Sequence, residues 1–314
     1  MRFHAKRYIS GTGKGTRGRR DATPPNTSSR RDWGSPLRHL RYVDVRVISW
    51  NVARRSSRLA EQAMALAERQ PDVIALQEIT RRTAPLWKRA LETIGLPHTR
   101  ISLDDAHVGR EPASRRAAGV LVATRHPPEE TTPLALPWPE TTTAATAWSQ
   151  CAGRVEIHCV HVPNAANGWV KVRTLEAIRV GLAAAPPGAR VLCGDLNTPR
   201  RELPSGEVIS FARDSKGTLR PKRGAEWDQA ELGVVPGLRE IGYADAFRTL
   251  HGYERREPSW TWRRIAGHGG GWRLDHLFAS AELRPTASLY HHAWRDEGLS
   301  DHAALEVELA AHAS

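Results

Sequence analysis

Beyond Tyr42 the chain alternates short apolar runs with longer segments whose apolar residues recur every three or four positions. Residues 43–49, 73–76, 119–124, 155–161, 190–193, 274–279 and 304–309 read as strands. Residues 57–70 read as a helix, with Leu59, Ala63, Leu66 and Ala67 on one face and Pro71 ending it. A second helix is predicted over 83–94, and a third over 171–184 with Val172, Leu175, Ile178 and Leu182 turned inward. No repeat of solenoid period is present. Two stretches interrupt the alternation. Residues 198–228 form a long connection that contains Arg220-Pro-Lys-Arg223, and 267–271 are almost all glycine. A connection of that length inside a compact domain points to function or mobility.

Composition places the chain among globular proteins. Apolar residues at 40% and charged residues at 25% exclude a wholly disordered chain, a collagen-like chain and a disulfide miniprotein. No stretch approaches the roughly 18 to 20 apolar residues needed to cross a bilayer, and the first ten residues contain no signal-peptide core. A cytoplasmic monomer without membrane attachment is expected. Cys151, Cys159 and Cys193 are odd in number and show no CxxC spacing, which fits a reducing compartment.

The net charge of +12 favours an anionic partner, but it is unevenly spread. Residues 1–43 carry eleven basic against two acidic residues, so nine of the twelve net charges sit there. This segment is rich in Gly, Ser, Thr and Pro and lacks periodicity, which predicts a disordered tail able to act as an electrostatic arm on a polyanion. A solvated tail, a start placed too far upstream and a transit peptide are the other readings, the last weakened by Gly11 to Gly18 and Pro24-Pro25. Gly11-Thr-Gly-Lys-Gly-Thr16 lacks the spacing of a phosphate-binding loop.

Chemistry gathers where the predicted strands stop. Asn51 follows Val47-Ile-Ser-Trp50, Glu78 follows Ile74-Ala-Leu-Gln77, and Asp195 and Asn197 follow Val191-Leu-Cys-Gly194. Ser300-Asp-His302 precedes the last strand. Rigid strands hold side chains at a sheet end while loops leave access. An acid ending so apolar a run as 73–76 must be solvated, cap a helix or bind a cation. The glycine of Gly194-Asp-Leu-Asn197 allows an unusual backbone, and the i, i+2 spacing can aim both polar side chains to one side. A zinc site built on Cys159 and His161, with Cys151 and His158 near, lacks a four-ligand spacing.

Trp50-Asn51, Leu76-Gln-Glu78, Gly194-Asp-Leu-Asn197 and Ser300-Asp-His302, in this order, resemble the endonuclease/exonuclease/phosphatase superfamily. His161-Val-Pro-Asn-Ala165 and Gly271-Trp-Arg-Leu-Asp275 are similar to the exonuclease III and apurinic/apyrimidinic endonuclease branch. The resemblance covers about Val45 to Leu309, and a catalytic domain is expected over 44–311. It implies an α+β fold, a four-layered α/β/β/α sandwich of two mixed sheets with the site at one end. It also implies hydrolysis of phosphodiester or phosphomonoester bonds with Mg²⁺ or Mn²⁺.

Carried over by position, Asn51 and Glu78 belong to the metal site, with Asp301 near it. Asp195 orients or deprotonates the attacking water, Asn197 holds phosphate or water, and His302 contacts phosphate while paired with Asp275. A sparse set of carboxylate and amide oxygens suits Mg²⁺ better than zinc. Asp275 beside His302 should raise the pKa of the imidazole, while Asp195 near a cation should stay ionised. A salt bridge from Asp275 to Arg273 or another arginine is the structural alternative.

This chain departs from the branch at several positions. His161 stands where the branch has tyrosine, which predicts an unusual pH dependence, and Ala53 stands where an acid is common. Trp272 and Leu274 fit the pocket that receives an abasic sugar, with Asn164 a further substrate contact, but Ser259 replaces a bulky third member. Trp169, Trp260, Trp262 and Trp294 are candidates to stack on bases, and Lys171, Arg263-Arg264 and 220–223 are candidate phosphate contacts. The expected function is a nuclease acting on nucleic acid, DNA above RNA. A hydrolase of small phosphoesters and a catalytically weak nucleic-acid-binding protein are the alternatives.

Overall fold

The computed structural model describes residues 45–104, 118–263 and 269–312; the basic segment 1–43 lies outside them. In chain order the elements are β1 (Val45–Asn51), α1 (Leu59–Glu68), β2 (Val73–Thr80), α2 (Ala84–Thr93), β3 (His98–Ile101) and β4 (Ala118–Thr124). Then come β5 (Thr142–Ser149), β6 (Gly153–His161), α3 (Trp169–Ala183), β7 (Arg190–Asp195), β8 (Arg201–Glu202), β9 (Val208–Ile209) and α4 (Gly224–Val234). The chain continues through β10 (Tyr243–Asp245), α5 (Ala246–His251), β11 (Trp260–Arg263), β12 (Gly269–Trp272), β13 (Asp275–Ser280), β14 (Leu283–His291), α6 (His292–Asp296) and β15 (Ala304–Ala311).

Two mixed sheets dominate. One has the order β14-β15-β1-β2-β4-β3, the other β10-β13-β7-β6-β5. Within them β1 runs parallel to β2, and β6 parallel to β7; the remaining pairs are antiparallel. Strand alternation explains the layering. On β1, Val45 and Val47 face the second sheet and pack with Val155, Ile157, Cys159, Val191 and Leu277. Ile48 and Trp50 face the other way and pack with Leu66, Trp87 and Leu91 of α1 and α2. On the second sheet Val160, Leu192 and Phe278 turn outward against Val172, Leu175, Ile178 and Leu182 of α3. A strand buried on both faces reads as a continuous apolar run, which is why these strands were legible. The result is the expected α/β/β/α sandwich.

Several predicted boundaries change. β2 does not stop at Leu76 but continues to Thr80, and β7 continues to Asp195. The long connection at 198–228 is not an irregular loop: it holds the β8–β9 hairpin and the first turn of α4. Asp228 gathers it, accepting from Ser210 Oγ (2.6 Å) and from Arg213. In the glycine stretch, residues 269–271 belong to β12, and Gly270 leaves room for the Trp262 ring across the hairpin. The Thr/Ala-rich β5 and β14, which carries Pro285 at a bulge, were not predicted.

Candidate active site

Strand register assembles the centre. Asp275 on β13 lies opposite Asp195 on β7, and His161 on β6 is the partner of Asp195 on the other side. Three side chains far apart in sequence therefore stand in a row on adjacent strands. Gly194 has φ +143°, and a Cβ there would overlap the Val160 carbonyl oxygen, so only glycine lets β7 lie against β6 at this point. Asn197 follows with φ +50°, and its N–H donates to Asp195 Oδ1 (2.9 Å).

The other sheet supplies Asn51 at the end of β1 and Glu78 in β2. Glu78 is the extra residue of a β-bulge between Gln77 and Ile79, with φ +62°. Bulges of this kind re-aim a side chain at sheet ends. Ser300 Oγ donates to the Asn51 carbonyl (2.6 Å), and Trp50 Nε1 donates to the His302 carbonyl (3.0 Å). These two bonds fasten the loop before β15 to the end of β1 and set His302 into the row.

His302 Nδ1 lies 2.8 Å from Asp275 Oδ2. Burial opposes a charge on the ring, but Asp275 and Asp195 together outweigh it and raise the His302 pKa to about 10. The other Asp275 oxygen is buried without a hydrogen bond, so the imidazolium is what offsets its charge. Arg273 is not the partner of Asp275: it is buried between Glu202 (2.6 Å) and Asp245 (2.7 Å), where it ties β8 to the start of β13.

Asp195 is the hub. Its Oδ2 accepts from Asn51 Nδ2 (3.0 Å) and faces His161 Nε2 at 3.7 Å and His302 Nε2 at 3.9 Å. Burial raises its pKa above the usual carboxylate range, with His302 pulling the other way. A carboxylate so placed is a stronger base than an exposed one.

Of the expected metal residues, Glu78 and Asp301 line the cleft with Asp195 and His302, and Asn51 is buried against Asp195. Asn51 Oδ1 accepts from the Ala53 N–H (2.9 Å) while its Nδ2 donates to Asp195, so the side chain also orients the Asp195 carboxylate. Glu78 faces the cleft with Arg54 Nε 3.2 Å from Oε2, a guanidinium standing in for a cation, and with His161 Nε2 3.9 Å from Oε1. Asp301 accepts from Trp260 Nε1 (3.1 Å). Among the described residues, Asp195, Asp275 and His302 also place ligand-type atoms within 4.8 Å of one another. With the histidine protonated, that trio already contains its own cation. Glu78 and Asp301 line the same cleft and offer carboxylate oxygens of the kind that Mg²⁺ and Mn²⁺ take.

The cleft measures about 730 Å³ and is lined by His161, Asn164, Asp195, Asn197, Trp272, Leu274 and His302, among others. Asn164 also caps the turn before α3, accepting from the Ala166 N–H. Asn197 Nδ2 donates one hydrogen to the Val162 carbonyl (2.9 Å), which fixes the amide at the edge of the cleft. Ser259 is not a shortened pocket wall. It is fully buried, and its Oγ accepts from the N–H groups of Leu274 (2.9 Å) and Asp275 (3.1 Å). The aromatic wall comes instead from the next residue, Trp260, stacked on Trp272 at 5.2 Å and 15°.

Trp294, Lys171 and Arg223 are structural. Trp294 packs between Trp50 and His291 in the core. Lys171 is fully buried and cannot meet a phosphate: its Nζ donates to Glu231 (2.6 Å) and to the Asn197 carbonyl (2.8 Å). Arg223 bonds the Phe211 carbonyl and covers Trp227, and Arg264 lies outside the described residues. The sequence reading passed over Arg54, Trp138 and the Lys171–Glu231 pair, because nothing local marks an arginine or tryptophan as facing a cleft.

The chain belongs to the endonuclease/exonuclease/phosphatase family, whose profile matches residues 48–302. Its chemistry is hydrolysis at phosphoester bonds. The fold is similar to an endonuclease/exonuclease/phosphatase from Beutenbergia cavernae (TM-score 0.56, 19% identity, 85% of this chain and 72% of that one). It is also similar to an AP endonuclease from Archaeoglobus fulgidus (TM-score 0.58, 21% identity, covering 84% and 98%). A D. rerio TDP2 complexed with a single-strand DNA product aligns at TM-score 0.59 and 18% identity, covering 85% and 99%. No curated protein sequence matches the chain.

Proposed function

We propose that residues 44–311 form a nuclease that hydrolyses phosphodiester bonds in DNA, using Mg²⁺ or Mn²⁺, with Asp195 as the base. The carrying observation is the surround of Asp195: two backbone-fixed donors, Asn51 Nδ2 at 3.0 Å and the Asn197 N–H at 2.9 Å, hold the carboxylate between His161 and His302. Asp195 takes the proton of a water that attacks phosphorus in line. His302, cationic through Asp275, stabilises the negative charge that grows on the phosphate oxygens. His161 donates a hydrogen bond to the phosphate or the leaving oxygen. When bound at Glu78 and Asp301, the divalent ion would neutralise charge on the substrate oxygens as a Lewis acid.

The DNA assignment is supported by the motif resemblance to exonuclease III and by nucleic-acid processing in the names of two structural neighbours. Residues 1–43 are proposed to be a basic arm that adds affinity for the polyanion. The test incubates the purified chain with Mg²⁺, Mn²⁺ or EDTA on end-labelled duplexes with and without an abasic site, on single-stranded DNA, on RNA and on a small phosphodiester. Metal-dependent cutting of DNA is expected. Preference for the small ester would select a phosphoesterase, and salt-dependent binding without cleavage would select a binding protein. Deleting 1–43 should flatten the salt dependence of affinity; an unchanged slope would overturn the arm.

A further inference from the structure

The cleft has a second aromatic side. Trp138 precedes the short turn Pro139–Thr141 that leads into β5. Its carbonyl accepts from both the N–H (3.0 Å) and the Oγ1 (2.6 Å) of Thr141, and Ser102 Oγ donates to the Glu140 carbonyl (2.7 Å). The turn is thus tied to itself and to the segment after β3 in the other sheet. Its indole is nonetheless 37% exposed and lines the same cleft as Asp195 and His302.

Sheet order gives the spacing. β13, β7, β6 and β5 are consecutive neighbours; Trp272 comes just before β13 and Trp138 just before the turn into β5. Three strand spacings, about 14 Å, separate β13 from β5. The row Asp275, Asp195 and His161 lies on the strands between them. At the β13 end, Trp260 stacks on Trp272, which Trp262 and Phe211 hold from other sides. Trp260 has spent its N–H on Asp301, so what it offers a ligand is its ring face.

We propose that Trp138 and the Trp260–Trp272 pair are two stacking walls flanking the phosphate centre, so that the cleft takes an unpaired strand with one base on each wall. This rests on the phosphodiesterase reading above. A base in a duplex has both faces covered by its neighbours, whereas an unpaired base is free to stack on an indole. Both walls sit on fastened backbone, which lowers the entropy cost of ordering the contact. Single strands and frayed ends are the substrates that such a cleft selects.

The test measures binding by fluorescence anisotropy in EDTA and cleavage with Mg²⁺, on a single-stranded oligonucleotide, its duplex, and single strands carrying a tetrahydrofuran abasic analogue at successive positions. Trp138→Ala should weaken single-strand binding and raise KM roughly five- to tenfold, with Trp138→Phe restoring most of it. That loss should disappear on the strand lacking the base that meets Trp138, a non-additivity that a merely misfolded variant would not show. Trp148→Ala, which removes an exposed indole from the far end of β5, is the control and should bind as wild type. Equal effects of Trp138→Ala and Trp148→Ala, or tighter binding of duplex than of single strand, would overturn the two walls. Failure to cleave any substrate would overturn the nuclease reading while leaving the binding comparison decisive for the walls.

Discussion

Asp275 Oδ2 and His302 Nδ1 lie 2.8 Å apart, across the join between the two sheets, and the histidine carries a proton up to about pH 10. The contact makes a fixed cation at the one place where the row of acids would otherwise repel a phosphate.

Replacing Asp275 by Asn removes the carboxylate that most strongly raises the His302 pKa. The alkaline limb of the pH–rate profile should then move down toward neutrality, lowering the rate at pH 9 by about tenfold relative to wild type. The same proton bears on stability. A pKa raised by folding contributes fully below the unfolded value of roughly 6.5 and is lost as pH rises through 10. Wild-type denaturation midpoints should fall between pH 7 and pH 10, and His302→Gln should flatten that fall.

Asp195→Asn keeps the size of the side chain and removes the base. Single-turnover rates should drop by about 10²- to 10⁴-fold, with binding of an uncleaved oligonucleotide little changed. A variant with near wild-type rate would exclude Asp195 as the base.

Arg54 Nε lies 3.2 Å from Glu78 Oε2, so it would compete with a divalent ion held there as proposed. Isothermal titration with Mn²⁺ should show tighter binding for Arg54→Gln than for wild type, by a few-fold, and weaker binding for Glu78→Gln. Identical Mn²⁺ affinity in both variants would place the ion elsewhere.

Gly194→Ala puts a methyl group into the Val160 carbonyl at a backbone angle that alanine resists. The expected destabilisation in urea exceeds about 3 kcal/mol.

Lys171→Met leaves Glu231 buried without its cation, and about 3 to 5 kcal/mol of stability should be lost. Glu231 also accepts from Trp227, Thr198 and Phe211, so the double change Lys171→Met with Glu231→Gln should recover part of that loss.

The layering was legible because the central strands are buried on both faces and so appear as unbroken apolar runs, as in 73–76 and 190–193. β5 escaped notice because, although threonine favours strands, the run has no large apolar residue before Trp148 to make a pattern; it forms because Val155, Ile157 and Val160 of β6 offer it a partner. The polar residues at strand ends, Asn51, Glu78, Asp195 and His302, were likewise readable from their positions. Their partners were not. Asn51 donates to Asp195, Ser259 was expected in the pocket wall and braces Leu274 and Asp275, and Lys171 was a candidate for a phosphate and is sealed against Glu231.

By itself, then, the sequence determined which residues stand at the ends of which strands, since hydrophobic periodicity and chain punctuation are local properties. Only the tertiary structure decided which of those ends meet and which atoms face one another. Register between β7 and β13, the bulge at Glu78 and the stacking of Trp260 on Trp272 are set by hydrogen bonds and packing between segments far apart in the chain. No single segment carries that information, because a side chain's direction depends on the neighbour that its strand pairs with.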